Sequence, residues 1–191
     1  MKAAARIEGR ETASDALRAL VRTPAATLLG LASRGTAPDP LRLAGWEFRA
    51  SWTAGSLPAV AGARHRRGFY RMRSAPRGST GVAGYSIPCH RGGPDDPWVD
   101  RLRGPAALRR GWCVLFPGGG PRFPDSLLVD YSRAGRLHRI HPLSVLREHL
   151  VRIAPDDPDL LVAVREARVG GQVRHLGIAV MERHVRSNLV P

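Results

Sequence analysis

The sequence predicts a mainly β protein, an antiparallel meander that closes into a small barrel behind a short N-terminal helical segment. Three observations carry this. Ala44, Trp46, Phe48, Ala50 and Trp52 fall at every second position with Gly45, Glu47, Arg49 and Ser51 between them, and strand side chains alternate between faces. Trp and Phe suit such a pleated, half-buried surface. From Leu43 onward, short runs of this kind alternate with Gly, Pro and Asp turns and show almost no helical periodicity. About eight antiparallel strands with short loops must close or double over to protect their edges.

Taken in chain order, residues 1–12 are charged, lack the apolar stretch of a signal peptide and are expected to form a disordered tail. Residues 13–40 form a helical preface. Ser14 can cap a helix that carries Ala16, Leu17, Leu20 and Val21 on one face. Thr23-Pro24 reads as a second start, with proline at the first helical position, and Leu28, Leu29, Leu31 and Ala32 supply that helix's apolar residues before Gly35 ends it. Residues 36–40 are a connector, and the preface is expected to pack on the body that follows.

The barrel domain spans 41–185, with 186–191 as a tail. After the opening strand, residues 56–61 suit a helical turn. Further strands are expected at 69–73, 82–89, 111–116, 127–132, 160–169 and 176–183, with Ala83, Tyr85, Ile87 and Cys89 sharing one face. The expected inward sets of the last three are Leu127, Val129 and Tyr131, then Leu160, Val162 and Val164, then Leu176, Ile178 and Val180. Residues 142–153 fit a strand or a helix, and flanking turn signals favour the strand. Ser132-Arg-Ala-Gly135 and Val169-Gly-Gly-Gln172 read as hairpin connections, and Pro155-Asp-Asp-Pro158 as a break.

Composition bounds the function classes. The chain has 191 residues, ordinary apolar content and a net charge of +14 that is almost all arginine, since Lys2 is the only lysine. Such an excess suits a nucleic-acid or anionic partner. The arginines are scattered, however, and abundant Ala, Gly, Pro and Arg point to codon bias as the plainer cause, so nucleic acid is the lesser alternative. Cys89 and Cys113 do not make a disulfide framework, though one bond between them fits the count. No run reaches the roughly 18 apolar residues of a membrane span, so the expected place is the cytoplasm.

Gly45-Trp46 on the first strand, the helical turn after it, the meander, and Arg183 near the end of the last strand together resemble the calycins, the lipocalin-like small β-barrels. Leu43…Gly45-Trp46…Arg49 followed by Gly68-Phe69-Tyr70 is also similar to bacterial domains of unknown function with a Gly-x-Trp-x-Gly opening. The resemblance implies a barrel over about residues 41–185, with Arg183 of the final strand covering the Trp46 indole. Here glycine and tryptophan are adjacent. Trp46 therefore stands on the face opposite to the motif's, which leaves Arg49 or Arg183 to cap the barrel end.

For chemistry, the aromatic residues of the strands come first. Trp46, Phe48, Trp52, Tyr70, Tyr85, Trp112, Phe116 and Tyr131 are the candidate wall of a site for a small apolar or amphipathic ligand, with Arg49 and Arg183 as contacts to a carboxylate or phosphate. The same aromatics also suit a plain core. His138 and His141 face opposite sides of a strand, and Cys89-His90 does likewise, so neither pair forms a metal site or a nucleophile with its base. No metal and no cofactor is expected. Asp95-Asp96 and the acidic 156–159 segment lie in turns, and Gly118-Gly-Gly-Pro121 lacks the Lys-Ser/Thr of a phosphate loop and reads as a hairpin end. Glu47, Arg49, Arg71, Asp130, Glu166 and Glu182 fall within strands, where any that face inward must be paired. An enzyme with its site in the barrel mouth is a further alternative, requiring a perturbed His or carboxylate among His90, His138, His141, His149 and His175 or their neighbours. The sequence assigns no catalytic step.

Overall fold

A strand that buries one face must pair with something, and here each strand pairs with the next in sequence until the last returns to the first. The computed structural model describes residues 13–53, 63–101, 109–133, 145–154, 156–169, 171–187 and 189. Eight strands, β1 (Trp46–Trp52), β2 (Arg64–Arg71), β3 (Val82–Pro88), β4 (Arg110–Pro117), β5 (Leu127–Asp130), β6 (Leu146–Arg152), β7 (Leu160–Val169) and β8 (Gln172–Arg186), form a closed barrel. Every pairing is antiparallel, including the β1–β8 seam. The expected mainly β meander is thus the observed fold. Among the described residues no helix is long and apolar enough to cross a membrane.

Three short helices precede the barrel. In α1 (Asp15–Arg22), the Ser14 hydroxyl accepts from the Leu17 N–H at 3.1 Å, the expected cap. In α2 (Ala25–Arg34), no side chain caps the start, because the Thr23 hydroxyl donates back to the Ala19 carbonyl instead. Gly35 ends α2 for want of space: a Cβ there would sit 2.8 Å from the Arg152 carbonyl. The connector contains a helical turn not anticipated, α3 (Pro40–Leu43), begun by Asp39 accepting from Leu41 N–H and by Pro40 at its first position.

The pairing register assigns the faces. Inside, Leu43, Phe48, Phe69, Val82, Leu115, Leu127, Leu150, Leu161 and Met181 form an apolar layer at the α3 end. The other half of the interior carries His65, Arg67 and Glu148, set opposite Ala50, Phe48 and Arg165 respectively. Outside, Leu17, Leu28 and Ala32 of the helices pack on Val151, Leu160, Val162, Val164, Ile178 and Val180. This corrects two of the expected inward sets. Leu160, Val162 and Val164 face outward, as do Ile178 and Val180, because α1 and α2 cover that wall and make both of its faces apolar. The inward residues of β7 are Leu161, Ala163, Arg165 and Ala167, and those of β8 are Ala179 and Met181, with Leu176 packed against the same inner cluster as expected. Leu127, Val129 and Tyr131 face inward as expected.

Candidate functional site

Two constellations stand out: an ionic cluster inside the barrel, and a groove on its outer wall. The charged groups of the inner one come from three strands, β2, β6 and β7. Arg67 of β2 donates from Nη1 to Glu148 Oε2 at 2.9 Å and to the Tyr131 hydroxyl at 2.8 Å, and from Nη2 to Cys113 Sγ at 3.4 Å. Arg165 of β7 donates from Nε to the other oxygen of Glu148 at 2.6 Å, and also contacts it through Nη2. The Arg165 guanidinium stacks 4.1 Å over the Trp52 ring, and Trp52 in turn stacks on His65. Arg67 and Glu148 are 2% and 1% exposed. One carboxylate therefore serves two guanidinium groups, Arg67 sealed from water and Arg165 with its side chain 20% exposed.

Charge states follow from these surroundings. Burial pushes the Glu148 carboxyl up, but Arg165 and Arg67 outweigh it and hold it down at about 2. Burial opposes charge on Arg67 and Arg165 as well, and Glu148 overcomes it, so both stay above their ordinary value. Burial, reinforced by Arg67 and Arg165, pushes the His65 imidazole down to about 3. Burial raises the Cys113 thiol and the Tyr131 phenol.

The groove lies outside, where the loop after β4 folds across β5–β7. It measures about 660 Å3. Gly119, Gly120 and Pro121 form one rim. Leu128, Val145 and Val173 give an apolar wall, and Arg122, Arg147, His149 and Glu166 bring polar groups to it. Glycine is obligatory at position 119, where any Cβ would run into the Phe123 carbonyl and the Ser126 hydroxyl. Phe123 is buried against the wall with its ring 4.9 Å from the His149 ring. His149 bridges two layers: Nδ1 lies 3.3 Å from Ser126 Oγ, and Nε2 lies 3.4 Å from Glu166 Oε2. Burial lowers His149 against the pull of Glu166, and burial together with Arg122 lowers His175 on the far side of that carboxylate. The Ser-His-Glu order resembles a nucleophile relay, but Ser126 is fully buried and its hydroxyl donates to the Phe123 carbonyl at 2.9 Å. A nucleophile must be reachable, so the chain of contacts serves to pin the loop to the barrel.

The ten residues expected to bind ligand are divided by the wall rather than gathered on one surface. Phe48, Trp52 and Tyr131 are inside. Tyr70, Tyr85 and Trp112 form an aromatic cluster outside, with the Tyr85 ring lying over Gly68 and its hydroxyl donating to Glu47 at 2.6 Å. Phe116 also faces outward, across from Leu128. Arg49 is buried beneath α1 and paired with Glu182 at 2.9 Å. Trp46 closes the barrel end under two arginines, Arg183 at 4.7 Å and Arg186 at 3.8 Å from the ring centre. A register shift between Glu47 and Phe48 sets Trp46 opposite Arg186 and Phe48 opposite Arg183, which brings both cations to the indole despite the adjacent Gly45.

Other expectations resolve simply. Cys89 and Cys113 are both free, one on the outer face and one inside. His90 is exposed, whereas His138, His141 and the 56–61 turn lie outside the described residues. Among the described residues no three His, Cys, Asp or Glu side chains form a metal site. Asp95 pairs with Arg18 of α1, and Asp96 accepts from the Gly93 N–H within its turn. Of the charged strand residues singled out, Glu47, Arg49, Asp130, Glu166 and Glu182 face outward, and Arg71, opposite Val82 at the end of β2, is exposed. The inward ions are Arg67, Glu148 and Arg165, which alternation within β2, β6 and β7 marks once the faces are known. Comparison of the chain with protein-family models, with curated proteins and with solved structures finds no match.

Proposed function

We propose that the protein binds a small amphipathic molecule in the groove on the outer wall of the barrel. The observation that carries this reading is the groove itself. Its volume of about 660 Å3 falls within the range of small-molecule sites, which pair an apolar wall with a few converging polar groups. The ligand's apolar part lies against Leu128, Val145 and Val173, and its polar part meets Arg147, His149 and Glu166. Val145 and Val173 are 45% and 54% exposed, apolar surface that a bound ligand would cover. The resemblance to the calycins favours the same class of ligand, although there the molecule sits within the barrel. No catalytic step is assigned, since both ring nitrogens of His149 are engaged.

The test is direct. Native mass spectrometry of the purified chain looks for a co-purified small molecule, and titration with the amphipathic dye 1-anilinonaphthalene-8-sulfonate reports on the groove. Saturable dye binding should weaken about tenfold, roughly 1.4 kcal/mol, in the Val145→Asp, Val173→Asp double variant, with the melting temperature unchanged. Absence of any saturable binding, or binding that ignores both substitutions, overturns the reading.

A further inference from the structure

The interior of the barrel presents a separate problem of charge. Among the described residues, the ionisable side chains of its polar half are His65, Arg67, Cys113, Tyr131 and Glu148, all buried, and Arg165, whose side chain is 20% exposed. His65 is neutral at pH 7 because burial and the two arginines push it to about 3. The raised Cys113 and Tyr131 are neutral too. Two cations then face one anion, a surplus of one positive charge held by the sealed Arg67 and the partly solvated Arg165. Burying an uncompensated ion is costly. Arg67 adds a second, independent sign: its Nε is buried with no hydrogen-bond partner among the described residues, although buried donors are nearly always satisfied.

We propose that this half of the barrel is a binding site for one compact monovalent anion, a halide or a carboxylate of formate size, held between Arg67 and Arg165 beside Glu148. Size follows from the surroundings. Phe69, Trp52 and Tyr131 pack about the two guanidinium groups, which excludes a long tail and admits at most an ion of one to three heavy atoms. The anion restores neutrality and accepts from the Arg67 Nε–H, so it binds the folded chain and not the unfolded one. Folding is thereby linked to anion concentration.

The experiment is thermal unfolding of the full chain in chloride, bromide or formate, against methanesulfonate at the same ionic strength. Compact anions should raise the melting temperature with the logarithm of their concentration, by about 3–6 °C at roughly ten times the dissociation constant, on the usual scaling for a chain of this size. In Arg67→Met the interior is neutral without an added ion, and the dependence should vanish. In Glu148→Gln the surplus doubles, and the dependence should steepen. Equal melting temperatures in all four salts overturn the proposal, as does an Arg67→Met variant that responds like the parent. Should Arg67→Met fail to fold, anomalous scattering from bromide-soaked crystals of the unaltered chain decides. A peak between Arg67 and Arg165 supports the site, and none there overturns it. The groove variants Val145→Asp and Val173→Asp leave the salt response intact, so the two sites stand or fall apart.

Discussion

Two buried ionic clusters occupy opposite faces of the same barrel wall, and they solve the same problem differently. Outside, Arg49 donates to Glu182, both fully covered beneath α1, where the Ser14 N–H also donates to Glu182 at 3.3 Å. The start of a helix supplies the extra donor and a favourable dipole end. Inside, Glu148 answers two arginines, and among the described residues no helix end donates to it. The comparison teaches that burial alone does not mark a functional ion cluster. A pair that balances holds the fold together. A set that does not balance leaves a charge for something else to meet.

The largest test of that difference is Glu148→Gln. Two guanidinium groups lose their only formal counter-charge, so unfolding free energy should fall by about 5 kcal/mol, the upper end for breaking a buried ion pair, as read by urea denaturation in methanesulfonate. Arg49→Met should cost less, about 3 kcal/mol, because Glu182 keeps the Ser14 N–H. Replacing both partners, Arg49→Met with Glu182→Leu, should recover most of that loss, since an apolar pair of similar volume leaves no stranded charge. If Arg49→Met proves the costlier single change, the contrast between the clusters fails.

Acid sharpens the comparison further. His65 sits at about 3 in the folded chain against 6.5 ordinarily, and Glu148 at about 2 against 4.5. Both are depressed, so the unfolded chain takes up protons that the folded chain refuses. Stability is therefore greatest above pH 6.5 and declines as pH falls, first through His65 together with the lowered His149 and His175 and then, below 4.5, through Glu148 as well. His65→Phe keeps a ring against Trp52 and should reduce the decline between pH 6.5 and 4.5 to the part due to His149 and His175 while sparing the steeper one beneath it, measured by melting temperature against pH. An unchanged profile would place the first decline elsewhere. Smallest is Ser14→Ala, which removes the α1 cap and should cost about 1 kcal/mol, with no change in the acid profile of the interior.

Much of the architecture was legible because it rests on local patterns. The alternation of residues 44–52, the turns near 155–158 and 169–172, and the Ser14 cap each report on their neighbours alone. The inner ions were not legible for the same reason. Arg64-His65-Arg66-Arg67 reads as a solvated stretch, so the expected strand began at Phe69, whereas β2 begins at Arg64 and buries Arg67. Only the register, a long-range property, shows that every second member of that run faces a closed interior. Likewise, Leu160–Val169 is apolar on both faces along most of its length. Nothing in that run says which face α2 will cover. The groove depends on a loop and four strands from distant parts of the chain, and no single segment announces it.

One feature of the barrel reaches beyond its sites. Seven of its pairings join strands adjacent in sequence, and only the β1–β8 seam joins the ends, where the Ser187 N–H donates to the Gly45 carbonyl at 2.9 Å. Neighbouring hairpins close small loops at little entropic cost, while the seam must wait for the whole meander to come round. Seam formation is thus expected to be the slow step of folding. Until it forms, β1 and β8 are open edges able to pair with another copy of the chain. The two arginines over Trp46 sit at the end of that seam and fasten it once it has closed.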